Sequence, residues 1–361
     1  MEKLLTIIVP SYNMETYLPK CLESLIVAKS ELLSKIEVLV VNDGSKDRTS
    51  EIAHAFANKY SGVFQVIDKD NGHYGSCVNV GLRLATGEFV KILDADDTYD
   101  NKRFEEWIRL LLKNVEDGWF KDVQLLLTDY IEVDSEGEQL RYRKIAANPD
   151  IVGHIADIPR HYVFQMHAVA YRTSMLRRLN YTQTEGIMYT DTEWSVYPME
   201  GVVKYYYWPH PVYRYLVDRI GQSMDAEVFN RCVWQRVKMY MRMMRESLLL
   251  CHAEAQRHRM RFQALFGLRA LYLSGMRISF REFNTRIRRI DELVKEYGSD
   301  VYMQFDAIPL SREIPYRIIK AWRRKHRIGL SGYCSVRLIV AILCILAPVK
   351  NRLRALLMKV R

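Results

Sequence analysis

Paired cysteines and long apolar runs are scarce in this sequence, and both absences limit what the protein can be. Its six cysteines are scattered without a C-x-x-C pair, so we predict reduced thiols, as in a cytosolic setting, and no zinc site. The apolar run Leu338–Val349 has 12 residues, which is short of the roughly 20 needed to span a membrane. The motifs G-x-G-x-x-G and G-x-x-x-x-G-K-[ST] are also absent, which argues against a dinucleotide-binding Rossmann site and a P-loop.

The net charge of +10 is unevenly distributed along the chain. Leu310–Arg361 contains 13 Lys and Arg against one acidic residue, which leaves a charge of about −2 on the rest of the chain. The basic character therefore belongs to a C-terminal tail. Cations on both sides of Leu338–Val349 favour an interfacial helix on an anionic membrane leaflet. A buried core helix in a basic subdomain is the alternative.

Four apolar segments alternate with helical segments in the first hundred residues. The predicted strands are Leu4–Val9, Ile36–Val41, Val63–Ile67 and Glu88–Leu93. The predicted helices are Met14–Leu33 with Asn13 as its cap, Thr49–Tyr60, and a third from Tyr74 or Gly75 to Ala85. Alternation at this spacing predicts βαβ units and a parallel sheet.

Each predicted strand ends in a polar, acidic or glycine-bearing loop. These loops are Pro10–Asn13, Asp43–Ser45, Asp70–Gly75 and Asp94–Asp97. In open α/β sheets, ligands bind outside the carboxyl ends of the strands. A helix that begins near Gly75 also offers backbone N–H groups that suit a phosphate. The pattern therefore predicts a ligand site along this edge of the sheet.

The apolar strand Phe89–Leu93 runs into three carboxylates, Asp94, Asp96 and Asp97. In extended backbone, Asp94 and Asp96 would point the same way. Two carboxylates side by side repel each other unless a hard divalent cation lies between them and a phosphate. The alternative is an acidic turn in which Asp96, Asp97 or Asp100 caps the next helix.

Five motifs follow one another in this part of the chain. They are Ile8–Asn13, Val40–Thr49, Asn71–Gly75 with Asn79 and Gly81, Ala85–Phe89, and Leu93–Asp97. Together they resemble family 2 glycosyltransferases of the GT-A fold, of the kind that builds bacterial cell-surface polysaccharides. The resemblance implies an α/β fold with a mostly parallel sheet flanked by helices, followed by a helical C-terminal region. It also implies inverting hexosyl transfer from a nucleotide sugar, UDP-linked, to a saccharide or lipid-linked acceptor, assisted by Mn²⁺ or Mg²⁺.

The resemblance further implies roles for individual residues. Those that match the donor-binding set are Pro10, Tyr12, Glu15, Asp43, Asp70, Asn71 and Asp94. Asp43 matches the carboxylate that accepts from the uracil N3–H, and Asp70 a donor-side carboxylate near the ribose or sugar. Turn-forming roles for both remain alternatives. Asp96 would bind the metal directly, and Asp94 would face the ribose or a metal-bound water.

Beyond Asp97 the pattern is less regular. We predict a helix at Asn101–Val115, strands at Val123–Thr128, Tyr162–Tyr171, Val202–Trp208 and Val212–Tyr215, and a hairpin turn at Asp134–Gly137. His167 resembles a position near an acceptor site, and a half-buried structural histidine is the alternative. Arg219 could contact a phosphate or lie in a solvated turn.

A second acidic stretch, Ile187–Trp194, resembles the family segment that carries the catalytic base. Inverting transfer needs a base that takes the proton of the acceptor hydroxyl. Related sequences have a Glu-Asp pair where this chain has Thr190 and Asp191. We assign Asp191 as the base, with Glu193 as the competing candidate. A role for Asp191 as a helix cap alone is the alternative.

We predict three parts: a GT-A catalytic domain at 1–220, a helical region at 221–305 and the basic, partly apolar tail at 306–361. The tail favours peripheral attachment to the cytoplasmic face of the cell membrane through anionic lipids. The Gln-x-x-Arg-Trp motif of processive family members is absent, which favours addition of one sugar per encounter.

Two other functions compete with glycosyl transfer. Nucleotidyl transfer to a sugar phosphate would need a glycine-rich, basic loop after the first strand, where this chain has Pro-Ser-Tyr-Asn. A non-enzymatic role in nucleic-acid binding is suggested by the tail. The acidic strand ends argue against binding of a polyanion by the body of the protein, so we expect no nucleic-acid partner.

Overall fold

The computed structural model describes residues 3–159, 162–217, 226–249, 254–274, 288, 291–292, 294–296, 302–303, 305–307 and 317–325. The chain divides into two compact units. The first contains Met1–Cys232 and His252–Arg259, and the second contains Val233–Cys251 and Met260–Arg361. The three-part division of the sequence stays a prediction.

Within the described residues, a mixed sheet of ten strands lies in the first unit. The strands are β1 (Leu5–Ser11), β2 (Ile36–Asn42), β3 (Phe64–Asp68), β4 (Phe89–Ile92), β5 (Thr98–Tyr99), β6 (Leu125–Val133), β7 (Gln139–Arg143), β8 (Val152–His154), β9 (Val169–Arg172) and β10 (Lys204–Leu216). Their order is β3-β2-β1-β4-β9-β6-β10-β5, and β7 and β8 pair with β6 and β10. Strands β1 to β4 are parallel to their neighbours among themselves, whereas β9 is antiparallel to both β4 and β6.

Most of the helices lie between strands along the chain, and the last three come after β10. They are α1 (Leu18–Glu23), α2 (Ser30–Leu33), α3 (Thr49–Lys59), α4 (His73–Leu84), α5 (Asn101–Glu116), α6 (Thr173–Arg178), α7 (Asp191–Val196), α8 (Ala226–Leu249), α9 (Glu254–Ser274) and α10 (Ile318–Lys325). Asp100 caps α5, because its Oδ1 accepts from the Arg103 N–H at 3.0 Å. Of the three caps open in the sequence, Asp100 is therefore the one used.

Every residue of β1 is buried, as expected for a parallel strand that is covered on both faces. Helix α4 approaches this strand closely at Gly81, where a Cβ would lie 2.6 Å from Ile8 Cγ2. The missing side chain thus lets α4 pack directly on β1. This contact places the start of α4 beside the carboxyl ends of the parallel strands.

The parallel strands of the first hundred residues confirm the predicted βαβ arrangement, but the predicted helix at Met14–Leu33 is wrong. Two short helices, α1 and α2, occupy part of that range. Asn13 does not cap α1, which begins after Tyr17. Asn13 has a φ of 53°, and its Oδ1 accepts from the Lys46 N–H at 2.8 Å, so its side chain joins two loops instead.

In the second half of the sheet, the strand predicted at Tyr162–Tyr171 is largely wrong, whereas the strands predicted at Val202–Trp208 and Val212–Tyr215 are confirmed except for the break between them. The range Tyr162–Tyr171 contains a short 3₁₀ turn, Met166–Ala168, before β9 begins. The two short strands predicted near Trp208 and Pro211 form one strand, β10, whose register shifts at these residues accommodate the prolines. The hairpin at Asp134–Gly137 is confirmed, since β6 and β7 pair as antiparallel neighbours around it.

In the second unit, α10 is held by Arg323. Its guanidinium donates to Asp291 Oδ1 at 2.7 Å and to Asp306 Oδ1 at 2.8 Å, and lies 3.5 Å from the centre of the Tyr302 ring. In this part of the predicted tail, the positive charge of Arg323 is therefore compensated by two carboxylates. None of the helices in the described ranges is long and apolar enough to cross a membrane.

Candidate functional site

The carboxyl ends of the parallel strands meet along one edge of the sheet. Asn42, the last residue of β2, pairs with Ser11 of β1 and with Asp68 of β3. The loops after β1 and β2 are joined directly, because the Asn13 N–H donates to Ser45 Oγ at 3.0 Å. The acidic and polar loops predicted to form a ligand site therefore lie side by side, as the sequence indicated.

Asp43 is held in a fixed orientation at this edge. Its side chain is 4% exposed, and its Oδ1 accepts from Lys69 Nζ at 2.6 Å and from the Gly72 N–H at 2.9 Å. Asn71 Nδ2 donates to the Asp43 carbonyl at 2.9 Å. Sequence reasoning missed Lys69, although a lysine between Asp68 and Asp70 at a strand end is a signal that could have pointed to it.

Four other residues of the predicted donor set lie on the same edge. Pro10 is buried within β1, whereas Tyr12, Glu15 and Asp70 are exposed. Glu15 also has a structural contact, because its Oε2 accepts from the Arg48 N–H at 3.0 Å. Tyr12 is 46% exposed, so much of its side chain is accessible from solvent.

The segment Asp94–Asp97 is a tight turn and not the extended backbone that the sequence suggested. Strand β4 ends at Ile92, and the Asp97 N–H donates to the Asp94 carbonyl at 3.0 Å. The alternation that would point Asp94 and Asp96 the same way is therefore lost. The expectation based on extended backbone was wrong because the turn closes on itself. We call Asp94–Asp97 the acidic turn.

Asp97 ties the acidic turn to β10. It is 1% exposed, and its two oxygens accept from the Tyr213 hydroxyl at 2.6 Å and from the Leu216 N–H at 2.7 Å. The Tyr213 hydroxyl in turn accepts from the Asp94 N–H at 3.2 Å. Burial, followed by the charges of Asp96 and Asp94, raises the pKa of Asp97 well above its ordinary value. Sequence reasoning had considered Asp97 only as a helix cap.

The charges of Asp94 and Asp191 both contribute to raising the pKa of Tyr74 and of Tyr215. The Tyr74 hydroxyl donates to Asp94 Oδ1 at 2.8 Å, and burial, then Asp94, then Asp191 raise the pKa of Tyr74. Burial, then the carboxylates of the acidic turn, then Asp191 also raise the pKa of Tyr215. The predicted base at the start of α7 is therefore within electrostatic range of the acidic turn.

His167 lies beside the acidic turn. Its ring packs among those of Tyr130, Tyr213 and Tyr215, with centroids 5.0, 4.7 and 4.4 Å away. Its carbonyl accepts from the buried Lys91 Nζ at 2.7 Å. Burial, then the charge of Lys91, lowers the pKa of His167 to about 3, so the ring is neutral at physiological pH.

The residues around the acidic turn fit a divalent cation. Asp94, Asp97 and His167 each place one ligand atom within 4.8 Å of the others, and the buried His167 Nδ1 has no hydrogen-bond partner within the described part of the chain. Carboxylate oxygens suit Mg²⁺ and Mn²⁺, and a neutral imidazole is a common metal ligand. Each Asp97 oxygen accepts one hydrogen bond and has a second lone pair for a cation. Among the described residues, this group contains the predicted ligand Asp94 but not Asp96, which remains a candidate from the resemblance alone.

Glu193, the competing base, points into the protein. It is fully buried, and its two oxygens accept from the N–H and the hydroxyl of Thr184, both at 2.8 Å. Residues two apart on a helix point about 200° away from each other, so Asp191 and Glu193 face different surroundings. A contact between Glu193 and a substrate would require the Thr184 contact to break.

Two sequence predictions lie outside the described residues. They are the possible phosphate contact Arg219 and the apolar run Leu338–Val349. Both therefore stay predictions.

Comparisons with known proteins show which proteins this chain resembles. Residues 6–162 match the family described as Glycosyl transferase family 2. This segment of the chain is a family 2 glycosyltransferase domain. It includes Asp43, Lys69 and the acidic turn, whereas His167 and Asp191 lie beyond the matched range.

Relatives with this domain come from several bacteria. The chain is 39% identical over 104 residues to an uncharacterised glycosyltransferase of Mycoplasma pneumoniae, and 28% identical over 196 residues to the uncharacterised glycosyltransferase EpsJ of Bacillus subtilis. These alignments cover 28% and 53% of this chain. The chain spans only 34% and 54% of the lengths of those two relatives.

The fold extends beyond the matched family domain. A crystal structure of residues 1–349 of S. aureus TarS in complex with UDP-GlcNAc aligns with a TM-score of 0.62 and 17% identity. The alignment covers 92% of this chain and 90% of that one. At this level of identity the likeness establishes the fold, which is that of a GT-A glycosyltransferase followed by a helical C-terminal region.

Proposed function

We propose that this chain is an inverting glycosyltransferase that moves one hexose from a UDP-sugar to a saccharide or lipid-linked acceptor. The observation that carries this proposal is that Asp43 and the acidic turn follow strands on either side of β1, with Asp191 within electrostatic range of the turn. The family 2 domain supports glycosyl transfer as the reaction. The UDP-GlcNAc complex of TarS, which has the same fold, supports a UDP-sugar as the donor.

Asp43 would recognise the uracil ring. Lys69 and Gly72 both bind Oδ1, so the carboxylate is oriented before a nucleotide arrives. Oδ2 of this carboxylate can accept a hydrogen bond from the uracil N3–H. Pro10, Tyr12 and Glu15 would surround the base and ribose, while Asp70 and Asn71 would lie on the side of the sugar.

The acidic turn would hold the diphosphate end of the donor. Asp94 would bind Mn²⁺ or Mg²⁺, together with either Asp96 or the pair Asp97 and His167. When bound, this ion supplies positive charge that offsets the negative charge on the departing diphosphate. Tyr74 fixes the orientation of Asp94 through its hydroxyl, and Tyr213 fixes that of Asp97.

Asp191 would act as the general base. The acceptor hydroxyl oxygen attacks C1 of the sugar and forms the new glycosidic bond, while its proton moves to the Asp191 carboxylate. The bond from C1 to the diphosphate oxygen breaks, and its electron pair leaves with UDP. Attack on the face opposite the leaving group inverts the configuration at C1.

We also propose that the tail attaches the enzyme peripherally to the cytoplasmic face of the membrane. Thirteen cations in Leu310–Arg361 and the apolar run Leu338–Val349 support this placement. A lipid-linked acceptor would then be presented at the same surface. Arg323 is paired with Asp291 and Asp306, so the remaining cations of the tail would carry the attraction to anionic lipids.

A panel of nucleotide sugars tests the proposed function. The full chain is incubated with UDP-, GDP-, CDP- and dTDP-sugars and Mn²⁺, and release of the nucleotide is measured with and without saccharide or lipid-linked acceptors. We expect release from at least one UDP-sugar, which Asp191→Asn abolishes. Release from GDP-sugars only would contradict the assignment of the uracil pocket, and formation of a nucleotide sugar from a sugar phosphate would favour nucleotidyl transfer.

A further inference from the structure

We call the loops after β2 and β3, which contain Asp43 and Lys69–Gly72, the donor loops, and we call α7, which begins at Asp191, the base helix. A short segment, Gln183–Gly186, lies between them, and we call it the bridging segment. On one side it is bound by Asn79 of α4, which is 5% exposed. Asn79 Oδ1 accepts from the Gln183 N–H at 2.7 Å, and its Nδ2 donates to the Gln183 carbonyl at 2.9 Å. Asn79 Nδ2 also donates to Glu185 Oε1 at 2.8 Å, so one amide side chain holds both ends of a three-residue stretch.

The bridging segment also touches the first turn of α4. The Gly186 N–H donates to the Gly72 carbonyl at 3.0 Å. The Gly72 N–H in turn donates to Asp43 Oδ1. A Cβ on Gly75 would lie 2.1 Å from the Thr184 carbonyl oxygen. Only glycine allows this approach, so the segment sits directly on the loop that would face the donor.

On its other side the bridging segment is bound by the base helix. Glu193 of α7 accepts from the N–H and hydroxyl of Thr184, and the Thr190 hydroxyl donates to Gln183 Oε1 at 3.1 Å. Asp191 stands between these two residues in the chain. Its backbone position is therefore set by contacts to the same segment that rests on α4.

The residue that leads into the base helix has a strained backbone. Tyr189 is 8% exposed and has a φ of 69°, a conformation that is unfavourable for a bulky side chain. Such a conformation persists only where surrounding contacts determine it. The bonds of Glu193 and Thr190 to the bridging segment are two such contacts.

We propose that Glu193, acting through Thr184, is a positioning residue that couples the donor loops to the base Asp191. Glu193 itself does not touch the substrate. The bridging segment transmits the geometry of Gly72 and Gly75 to the first turn of α7, so that binding of the nucleotide and placement of the base are linked. This inference rests on the proposed function, because it takes Asp191 as the base.

Thr184→Val tests the coupling with little change in volume. It removes the hydroxyl that donates to Glu193 but keeps the backbone N–H contact. We expect kcat for transfer to fall about 10- to 100-fold, since small misplacements of a catalytic group have effects of this size. The KM for the UDP-sugar and the affinity for UDP should stay within about twofold. Thr184→Ser, which keeps the hydroxyl, should recover most of the kcat of the parent.

Thr182→Val is the matched control, because Thr182 is exposed and lies just before the bridging segment. Its kcat should equal that of the parent. If Thr184 only stabilises the fold, Thr184→Val will lower the melting temperature but keep the parent kcat at temperatures far below melting. That result would overturn the coupling, as would a parallel loss of UDP affinity and kcat.

Hydrogen exchange separates failure of the coupling from failure of the proposed function. In the parent, UDP with Mn²⁺ should slow amide exchange both at 69–75 and at 183–191. In Thr184→Val, protection should remain at 69–75 and be lost at 183–191. Protection of the parent at 69–75 alone would overturn the coupling while UDP binding stands. Exchange that is unchanged everywhere would contradict UDP binding, and the coupling with it.

Discussion

Lys69 and Asp43 form an ion pair of 2.6 Å whose side chains are 20% and 4% exposed. The pair lies where β2 and β3 end, and Ser76 Oγ of α4 accepts a further bond from Lys69 Nζ at 2.9 Å. One ammonium group thus joins the loops after β2 and β3 to the first turn of α4. Loss of one partner of a buried ion pair leaves the other charge without compensation, which is strongly destabilising.

Lys69→Met should therefore weaken both the fold and nucleotide binding. We expect the free energy of unfolding to fall by about 3 kcal/mol, because Asp43 would keep a buried charge without its partner. The dissociation constant for UDP, measured by calorimetry, should rise tenfold or more as Asp43 loses its orientation. Lys102→Met, at an exposed position of α5, is the control and should change neither quantity. Unchanged UDP affinity in Lys69→Met would make the pair purely structural.

Removal of the metal should stop the reaction. We expect EDTA to abolish transfer and Mn²⁺ or Mg²⁺ to restore it, because the charge of the leaving diphosphate would otherwise be uncompensated. Asp96→Asn should lose activity while remaining folded. His167→Gln should raise the Mn²⁺ concentration needed for half-maximal rate if the group of Asp94, Asp97 and His167 holds the ion. Full activity in EDTA would refute a metal site at the acidic turn.

Replacement of the base should separate binding from chemistry. Asp191→Asn should bind UDP as the parent does but lose transfer about 10²-fold or more, the usual scale for a positioned base. Glu193→Gln should bind UDP equally well and retain more activity than Asp191→Asn, because its effect is indirect. An inactive Glu193→Gln beside an active Asp191→Asn would show that the base had been assigned two residues too early.

Lys91 should make stability depend on pH. Its burial lowers its pKa to about 7 from the usual 10.5. Between these values the unfolded chain holds a proton that the folded protein has released, so the free energy of unfolding should rise from pH 7 to pH 10. The slope from this group is at most about 1.4 kcal/mol per pH unit. In urea titrations with EDTA, Lys91→Met should flatten the rise, whereas Lys102→Met should preserve it.

The tail should bring the chain to anionic vesicles. Each cation near such a surface contributes about 1 kcal/mol of attraction, and the apolar face adds binding that salt does not screen. The full chain should sediment with the vesicles and be only partly released by high salt. A chain that ends after residue 330 keeps α10 and its Arg323 contacts but loses the apolar run, so it should sediment less, be released completely by high salt and keep donor hydrolysis intact. Equal sedimentation of both forms would leave the tail as a structural subdomain.

The sequence by itself determined the parallel half of the fold and the edge on which the site lies. Apolar runs that each end in a polar loop leave few alternatives, because parallel strands need helical crossovers and their carboxyl ends meet at one edge. Asp43 and Asp94 could be placed there without coordinates. Their roles in recognition came from the resemblance of ordered motifs, since an Asp before a Gly also suits a plain turn.

Only the tertiary structure decided which side chains hold the site together. Lys69 meets Asp43, Asp97 meets Tyr213, and His167 comes beside the acidic turn through contacts between residues far apart in the chain. Local patterns carry no information about such pairs, because periodicity reports on neighbours along one element. Glu193 shows the same limit. In sequence it is a carboxylate two residues from the predicted base. In the structure it is buried, and both of its oxygens accept hydrogen bonds from Thr184.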